Sequence, residues 1–375
     1  MKTEPDMDLL FLEGAPRERG RSHGEALRPK IQELIGAWKE GLGQDLGSPA
    51  EPYLAQFLQD TAFLPAIQKW TPDLLQEVHG IAEGAGVDWD IILAFQLPDE
   101  EWWYRRERKQ HPAGQSGQHC SGLGAFAQDN GPTLMAQNMD VPAYYDGYQT
   151  LLRIRRPASD LETLVFTAAG LIALNGINNR GIGVCVNTLM QLNHASDGLP
   201  VAFVIRGLLE RTSHEQALAF LQGVRHASGQ NFIVGGPDQV WDLECSASQV
   251  ARFIPQPGLD RVYHTNHPLV NTDQSMHHEM VSRLSPEQRE RIARGRSDTS
   301  ARFDYLASQL SDASQTITVE RVRAILSSHQ APVCVDRGGS GLTLGCTIME
   351  LSPVAVLHIA PGPPCSTAFQ TFTLT

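Results

Sequence analysis

The chain has 375 residues and 41% hydrophobic content, enough to bury a large core and too apolar for a disordered or disulfide-stapled scaffold. Its 30 basic and 42 acidic residues give a formal charge of −12, which argues against a nucleic-acid binder. Six cysteines (Cys120, Cys185, Cys245, Cys334, Cys346 and Cys365) are scattered with no CxxC pair, and read as reduced thiols rather than a metal site or disulfide frame. The acidic N-terminus has no hydrophobic signal core and no run approaches ~18 apolar residues, so a soluble, cytoplasmic protein without a membrane segment is expected.

In chain order, a short strand at 8–13 opens a segment, residues 1–119, that reads as mostly helical, with apolar residues at helical spacing over 26–38 and 72–84. Residues 104–117 are basic and then rich in glycine, proline and serine, an exposed loop. From Cys120 the pattern turns strand-rich. The small apolar run 120–127, the turn signal Gln128-Asp129-Asn130-Gly131-Pro132 and the return over 133–140 predict a hairpin. Folding about Asn130-Gly131 sets Cys120 opposite roughly position 141, with Asp140 about 5 Å away across the ladder.

Strands follow at 151–155, 163–168, 172–175 and 182–187, then an amphipathic helix over 200–223. Ser213 with Gln216 three residues on marks a restart within that helix. Strands resume at 230–234, 240–245 and 250–254, helices at 285–310 and 319–326, and closing strands at 343–350 and 354–359. Helices flanking consecutive strands predict an α+β domain layered α/β/β/α. No repeat or linker divides 120–375.

Cys120, in the run His119-Cys120-Ser121-Gly122, is the candidate nucleophile. A reactive cysteine needs a base to make its thiolate, and no Cys/His protease signature surrounds this one. Cleavage between His119 and Cys120 would free an α-amine that titrates near pH ~8 and is able to act as that base. Threonine nucleophiles use their own N-terminal amine in the same way. The plainer alternative is a structural cysteine in an apolar run. Asp140 either holds the new ammonium or only caps a strand end.

Cys120 with Gln137-Asn138-Met139-Asp140 resembles the Cys…Gly-Gln-Asn-Trp-Asp pattern of the acyl-CoA:6-aminopenicillanic acid acyltransferases and their amidohydrolase relatives. Further landmarks occur in the family's order. Gly14-Ala15-Pro16-Arg17-Glu18-Arg19-Gly20-Arg21-Ser22-His23-Gly24 is similar to its opening motif, and Glu77-Val78-His79-Gly80-Ile81-Ala82-Glu83-Gly84-Ala85 to its Glu-Ile-x-Gly-Ile-Ala-x-Gly-Ala helix. Asn178-Asn179-Arg180-Gly181-Ile182-Gly183-Val184-Cys185-Val186-Asn187, Leu243-Glu244 and His264-Thr265-Asn266-His267 match later ones.

The resemblance implies an N-terminal-nucleophile hydrolase with a four-layer αββα sandwich that cleaves itself before the cysteine. It divides the chain into a mostly helical segment 1–119 and a catalytic domain 120–375, associated as a heterodimer. It assigns Asn266 the oxyanion donor, against a turn asparagine as the alternative. Asn187 would bind the α-amine or substrate, and Asn138 shares the face of Asp140 in a supporting role. Glu244 matches a landmark of undefined role. The family's Ile-Cys-Arg element departs here to Val333-Cys334-Val335, so its catalytic arginine is either replaced by Arg337 or absent.

The function expected is hydrolysis of a small N-acyl amine or N-acyl amino acid through a Cys120 thioester, with no cofactor and no metal. One alternative is transfer of an acyl group from CoA or an amide to an amine acceptor; another is an uncleaved binding protein of the same fold. His277-His278-Glu279 lacks zinc-site spacing and reads as a solvated loop. His23 reads as packing or capping the first helix, and Gly338-Gly339-Ser340-Gly341 as a turn, since no Lys-Ser/Thr follows.

Overall fold

The computed structural model describes residues 7–108, 120–126, 131–156, 159–259 and 261–374. Strand β1 (Asp8–Leu12) leads into seven helices. These are α1 (Pro16–Ala26), α2 (Arg28–Leu46), α3 (Ala50–Asp60), α4 (Phe63–Trp70), α5 (Pro72–Ala85), α6 (Trp89–Phe95) and α7 (Pro98–Glu107). The strands β2 (Ser121–Ala125), β3 (Thr133–Pro142), β4 (Gln149–Arg155), β5 (Glu162–Ala168), β6 (Asn175–Asn178) and β7 (Gly183–Thr188) follow. Helices α8 (Val201–Leu209) and α9 (His214–Gly223) precede β8 (Gln230–Gly236), β9 (Gln239–Cys245), β10 (Val250–Phe253) and β11 (Arg261–His264). The chain closes with α10 (Ser275–Ser282), α11 (Pro286–Leu310), α12 (Val319–Leu326), β12 (Gly341–Leu351), β13 (Ala355–Ala360) and β14 (Gln370–Leu374).

Two sheets form. The first runs β1-β4-β5-β6-β7-β8-β9-β10 and the second β11-β2-β3-β12-β13-β14. Every pairing is antiparallel except β1 with β4. Helices α8 and α9 cover β6, β7 and β8, whereas α11 and α12 cover β2, β3, β11 and β12. Strands β2 and β3 lie against β7 and β8 between the two helical layers. The result is the four-layer α/β/β/α sandwich expected from the element pattern. Among the described residues, no helix is long and apolar enough to cross a membrane.

The sheets approach closely at β2 because its inward positions are small. A Cβ on Gly122 would stand 3.0 Å from Asn187 Oδ1 and 3.1 Å from Ile233 Cδ1. The opening motif and the Glu77–Ala85 motif meet as crossing helices α1 and α5 for a similar reason. A Cβ on Gly20 would lie 1.8 Å from the Glu77 carbonyl oxygen. At that crossing the buried Glu77 carboxylate accepts from Arg19 at 3.0 Å and from Arg206 on α8 at 2.7 Å. This ion triad ties α1 and α5 to α8.

Several elements differ from expectation. The strand placed at 172–175 forms instead at β6, because Gly170 turns the chain at φ +86° and residues 171–174 make the connection. The helix expected over 200–223 is two helices, with Ser213 capping the second by accepting from the Gln216 N–H. Residues 104–107, assigned to a loop, complete α7; the remainder of that loop from 109 lies outside the described residues. His277, His278 and Glu279 sit on helix α10 rather than a loop. None of its residues is buried, so it lacks the apolar stripe that marks a helix in sequence.

Candidate active site around Cys120

Cys120 immediately precedes β2 and is buried. The ladder pairs Ser121 with Asn138 and Ala125 with Leu134, so Cys120 comes level with Met139, two positions earlier than the turn signal predicts. The turn residues 127–130 lie outside the described residues. Pairing with β2 begins at Leu134, opposite Ala125. The Cys120 thiol lies 3.7 Å from Met139 Sδ and 3.7 Å from the Asp140 carbonyl oxygen.

The Asp140 carboxyl is fully buried. Its Oδ1 accepts from Thr343 Oγ1 at 2.6 Å, and Thr343 Oγ1 accepts from the Val335 N–H at 2.9 Å. Its Oδ2 has no hydrogen-bond partner among the described residues. Burial pushes this carboxyl up to about 7. Burial, with the Asp140 charge adding to it, pushes the Cys120 thiol up to about 12. With its nitrogen still an amide, this cysteine is therefore held as a thiol at neutral pH.

Arg302, on α11 and fully buried, joins the groups. Its Nη1 donates to the Cys120 carbonyl oxygen at 2.7 Å and to Ser121 Oγ at 3.1 Å. Its Nη2 donates to Asn266 Oδ1 at 3.0 Å. Asn266 is held by its backbone N–H to Thr299 Oγ1 at 2.8 Å and by Nδ2 to the Thr188 carbonyl at 3.1 Å. An amide nitrogen carries two hydrogens, so one N–H remains for an incoming oxygen.

The loop bearing Asn266 is clamped by Glu244. This carboxylate accepts from His264 Nε2 at 3.0 Å and from the N–H groups of Leu269, Val270 and Asn271 at 2.5, 3.1 and 2.6 Å. Burial alone would raise its pKa, but the His264 hydrogen bond and the backbone donors hold it below the usual range. His264 also donates from Nδ1 to the Thr265 carbonyl at 2.7 Å. With both ring nitrogens facing acceptors, the imidazolium is favoured against burial, and Asp242 and Glu244 raise its pKa.

Of the other expected residues, Asn187 is fully buried beside Gly122, and both atoms of its amide lack a hydrogen-bond partner among the described residues. Asn138 faces the helical layer and donates to the carbonyls of Leu326 at 2.8 Å and Val333 at 2.7 Å. Arg337 does not reach the space assigned to it: its Nε pairs with Asp146 at 2.8 Å on a partly exposed surface. His277 contacts Arg106 Nη2 at 2.8 Å. His23 is buried, its Nε2 accepting from the Gly170 N–H at 3.1 Å.

Beside Cys120 lies a cavity of about 50 Å³, walled by apolar side chains including Met139, Val141, Leu171, Val186 and Ile205. Its polar lining includes Asp99, which accepts from Thr188 Oγ1 at 2.8 Å and Gln230 Nε2 at 2.6 Å. Sequence reasoning missed Asp99, Thr343 and Arg302. For Arg302 a signal existed: it occupies the apolar stripe Thr299, Arg302, Leu306, Leu310 of α11, where a buried charge demands acceptors.

A thiol and a buried carboxyl thus lie next to an arginine fork that holds an amide donor, a set suited to acyl transfer. The family model described as acyl-coenzyme A:6-aminopenicillanic acid acyl-transferase matches residues 126–343, a stretch that contains Asp140, Asn266 and Arg302 and begins after Cys120. The 40 kDa form of acyl-coenzyme A:6-aminopenicillanic-acid-acyltransferase from Emericella nidulans is 27% identical over 261 residues, covering 69% of each chain. Among solved structures, the Caenorhabditis elegans ortholog of N-acylethanolamine-hydrolyzing acid amidase is 15% identical with a TM-score of 0.44, covering 68% of this chain and 100% of that one. A conjugated bile acid hydrolase from Clostridium perfringens is 12% identical with a TM-score of 0.40, covering 68% and 97%.

Proposed function

This chain belongs to the acyl-coenzyme A:6-aminopenicillanic acid acyl-transferase family, and on that premise we propose that it is a cysteine amidohydrolase activated by cleavage between His119 and Cys120. The observation that carries the reading is the buried Asp140 Oδ2, without a hydrogen-bond partner among the described residues, beside a thiol held at about 12. Burial raises this carboxyl, and the charge of Arg302 offsets that only in part. Cleavage supplies an α-ammonium next to it and, on deprotonation, the base that the thiol lacks.

In this mechanism the α-amine of Cys120 takes the thiol proton as Sγ attacks the acyl carbonyl. The negative oxygen of the tetrahedral intermediate receives the remaining N–H of Asn266, whose carbonyl Arg302 holds. The proton passes to the departing amine, leaving an acyl thioester on Cys120. Water, activated by the same α-amine, then releases the acid. The apolar wall beside Cys120 suits an apolar acyl group. Fragments 1–119 and 120–375 remain joined, because β1 pairs with β4 and Glu77 is bound by Arg206.

Acyl transfer is the second reading, favoured by the family itself: the same thioester passes to an amine when the acceptor excludes water. Incubation with a panel of N-acyl amines and N-acyl amino acids, with released acid quantified and Cys120 peptides analysed by mass, tests the proposal. An acyl adduct confined to Cys120 is expected. Turnover in a Cys120→Ala variant removes Cys120 from the mechanism.

A further inference from the structure

We propose that His329, Cys334, Asp336 and Cys365 form a zinc site, independent of the Cys120 reading. One ligand atom from each residue lies within 4.8 Å of all the others, the one such group among the described residues. Cys334 Sγ and Cys365 Sγ are 3.3 Å apart, Cys365 Sγ and Asp336 Oδ1 are 3.1 Å apart, and His329 Nε2 and Asp336 Oδ2 are 3.9 Å apart. Tetrahedral zinc with bonds of about 2.0–2.3 Å sets neighbouring ligand atoms about 3.3–3.8 Å from one another, and the observed separations bracket that span. The remaining ligand pairs lie within 4.8 Å of one another, so closing the shell requires the side chains to draw together on the ion.

The donor set also selects the metal. Two thiolates with one imidazole and one carboxylate suit zinc rather than magnesium or calcium, which prefer all-oxygen shells. Three ligands come from the loop between α12 and β12, and Cys365 from the loop between β13 and β14. His329, Asp336 and Cys365 are exposed while Cys334 is buried, so the ion enters from solvent and is closed off beneath. On binding, each thiol releases its proton to solvent as its Zn–S bond forms; the carboxylate and neutral imidazole contribute lone pairs.

The clip has a structural consequence for the network around Asp140. Val335, between Cys334 and Asp336, donates its N–H to Thr343 Oγ1, and Thr343 donates to Asp140 Oδ1. The zinc therefore braces the loop at one end of that hydrogen-bond chain.

The test uses the full, untagged chain expressed with zinc sulfate and purified without chelator. Elemental analysis is expected to find about one zinc per chain, and cobalt substitution to give a thiolate-to-cobalt charge-transfer band in the near ultraviolet. Cys365→Ser is expected to lose both. His329→Ala and Asp336→Asn, also at exposed side chains, are expected to weaken zinc binding by more than about tenfold, so the outcome does not hang on one variant's folding. Wild-type protein without retained zinc and without the cobalt band overturns the proposal. So does unchanged metal content in Cys365→Ser, or a Cys334–Cys365 disulfide formed in anaerobic, zinc-supplied protein.

Discussion

Arg302 reaches across the fold to Cys120, its Nη1 lying 2.7 Å from the Cys120 carbonyl oxygen while Nη2 holds Asn266 at 3.0 Å. One guanidinium thus fixes the relative position of the proposed nucleophile and oxyanion donor. No arginine follows Cys334, and the arginine that contacts Cys120 comes from helix α11. Arg302→Leu is expected to leave those acceptors buried and unpaired, lowering stability by about 3–5 kcal/mol and abolishing turnover. Arg302→Lys keeps the charge and loses the fork, so it should fold better and still turn over slowly. Thermal melts and steady-state kinetics of the pair check this; a Leu variant with normal kcat removes Arg302 from the site.

Asn266→Ala should reduce kcat by about 10²–10³ with a smaller effect on KM, since an oxyanion donor acts on the transition state. Kinetics on protein already cleaved separates this from any maturation defect. An unchanged kcat leaves Asn266 a turn residue.

Glu244→Gln replaces an acceptor of three backbone N–H groups and one histidine by an amide that can satisfy them only in part. The loop over residues 266–271 should loosen, at a cost of about 1–3 kcal/mol. Hydrogen exchange in that loop is expected to rise and kcat to fall through misplacement of Asn266. Wild-type exchange in the variant counts against the clamp.

The Asp140 carboxyl sits at about 7 in the folded chain against an ordinary 3.8. Its folded pKa is raised, so the folded state holds the proton more tightly than the unfolded state does. Its contribution to stability is therefore greatest at low pH and is lost as pH rises from about 4 to about 7. In an uncleaved Cys120→Ala background, adding Asp140→Asn should remove a slope of about 1.4 kcal/mol per pH unit inside that window. Denaturant titrations of both proteins across that range decide it; parallel curves rule out the raised carboxyl.

The layer order was legible because β2, β3, β7, β8 and β9 are apolar runs bounded by turn residues, and Ser213 announced α9. The register of β2 on β3 was not: the ladder sets Cys120 level with Met139, not with position 141 as the Asn130-Gly131 signal suggested. Cys120, Asp140 and Asn266 were singled out through ordered motifs; in the fold Cys120 Sγ lies 3.7 Å from the Asp140 carbonyl oxygen, and Arg302 bonds both the Cys120 carbonyl and Asn266. Arg302 carried a signal, a charge on the buried stripe of α11, but its partners, 182 and 36 positions away, are set by the fold alone. Arg337 was a reasonable substitute in sequence, but the loop turns it outward to Asp146. The pairing of Cys334 with Cys365 was hidden for the same reason as Arg302: two loops on neighbouring strands converge.

The most direct measurement is intact mass with N-terminal sequencing of freshly folded protein. Two associated fragments, 1–119 and 120–375, the second beginning at Cys120 with a free α-amine, are the predicted result. A single full-length chain that hydrolyses an N-acyl amine at an undiminished rate would contradict the account, because turnover would then proceed without the amine on which the mechanism depends.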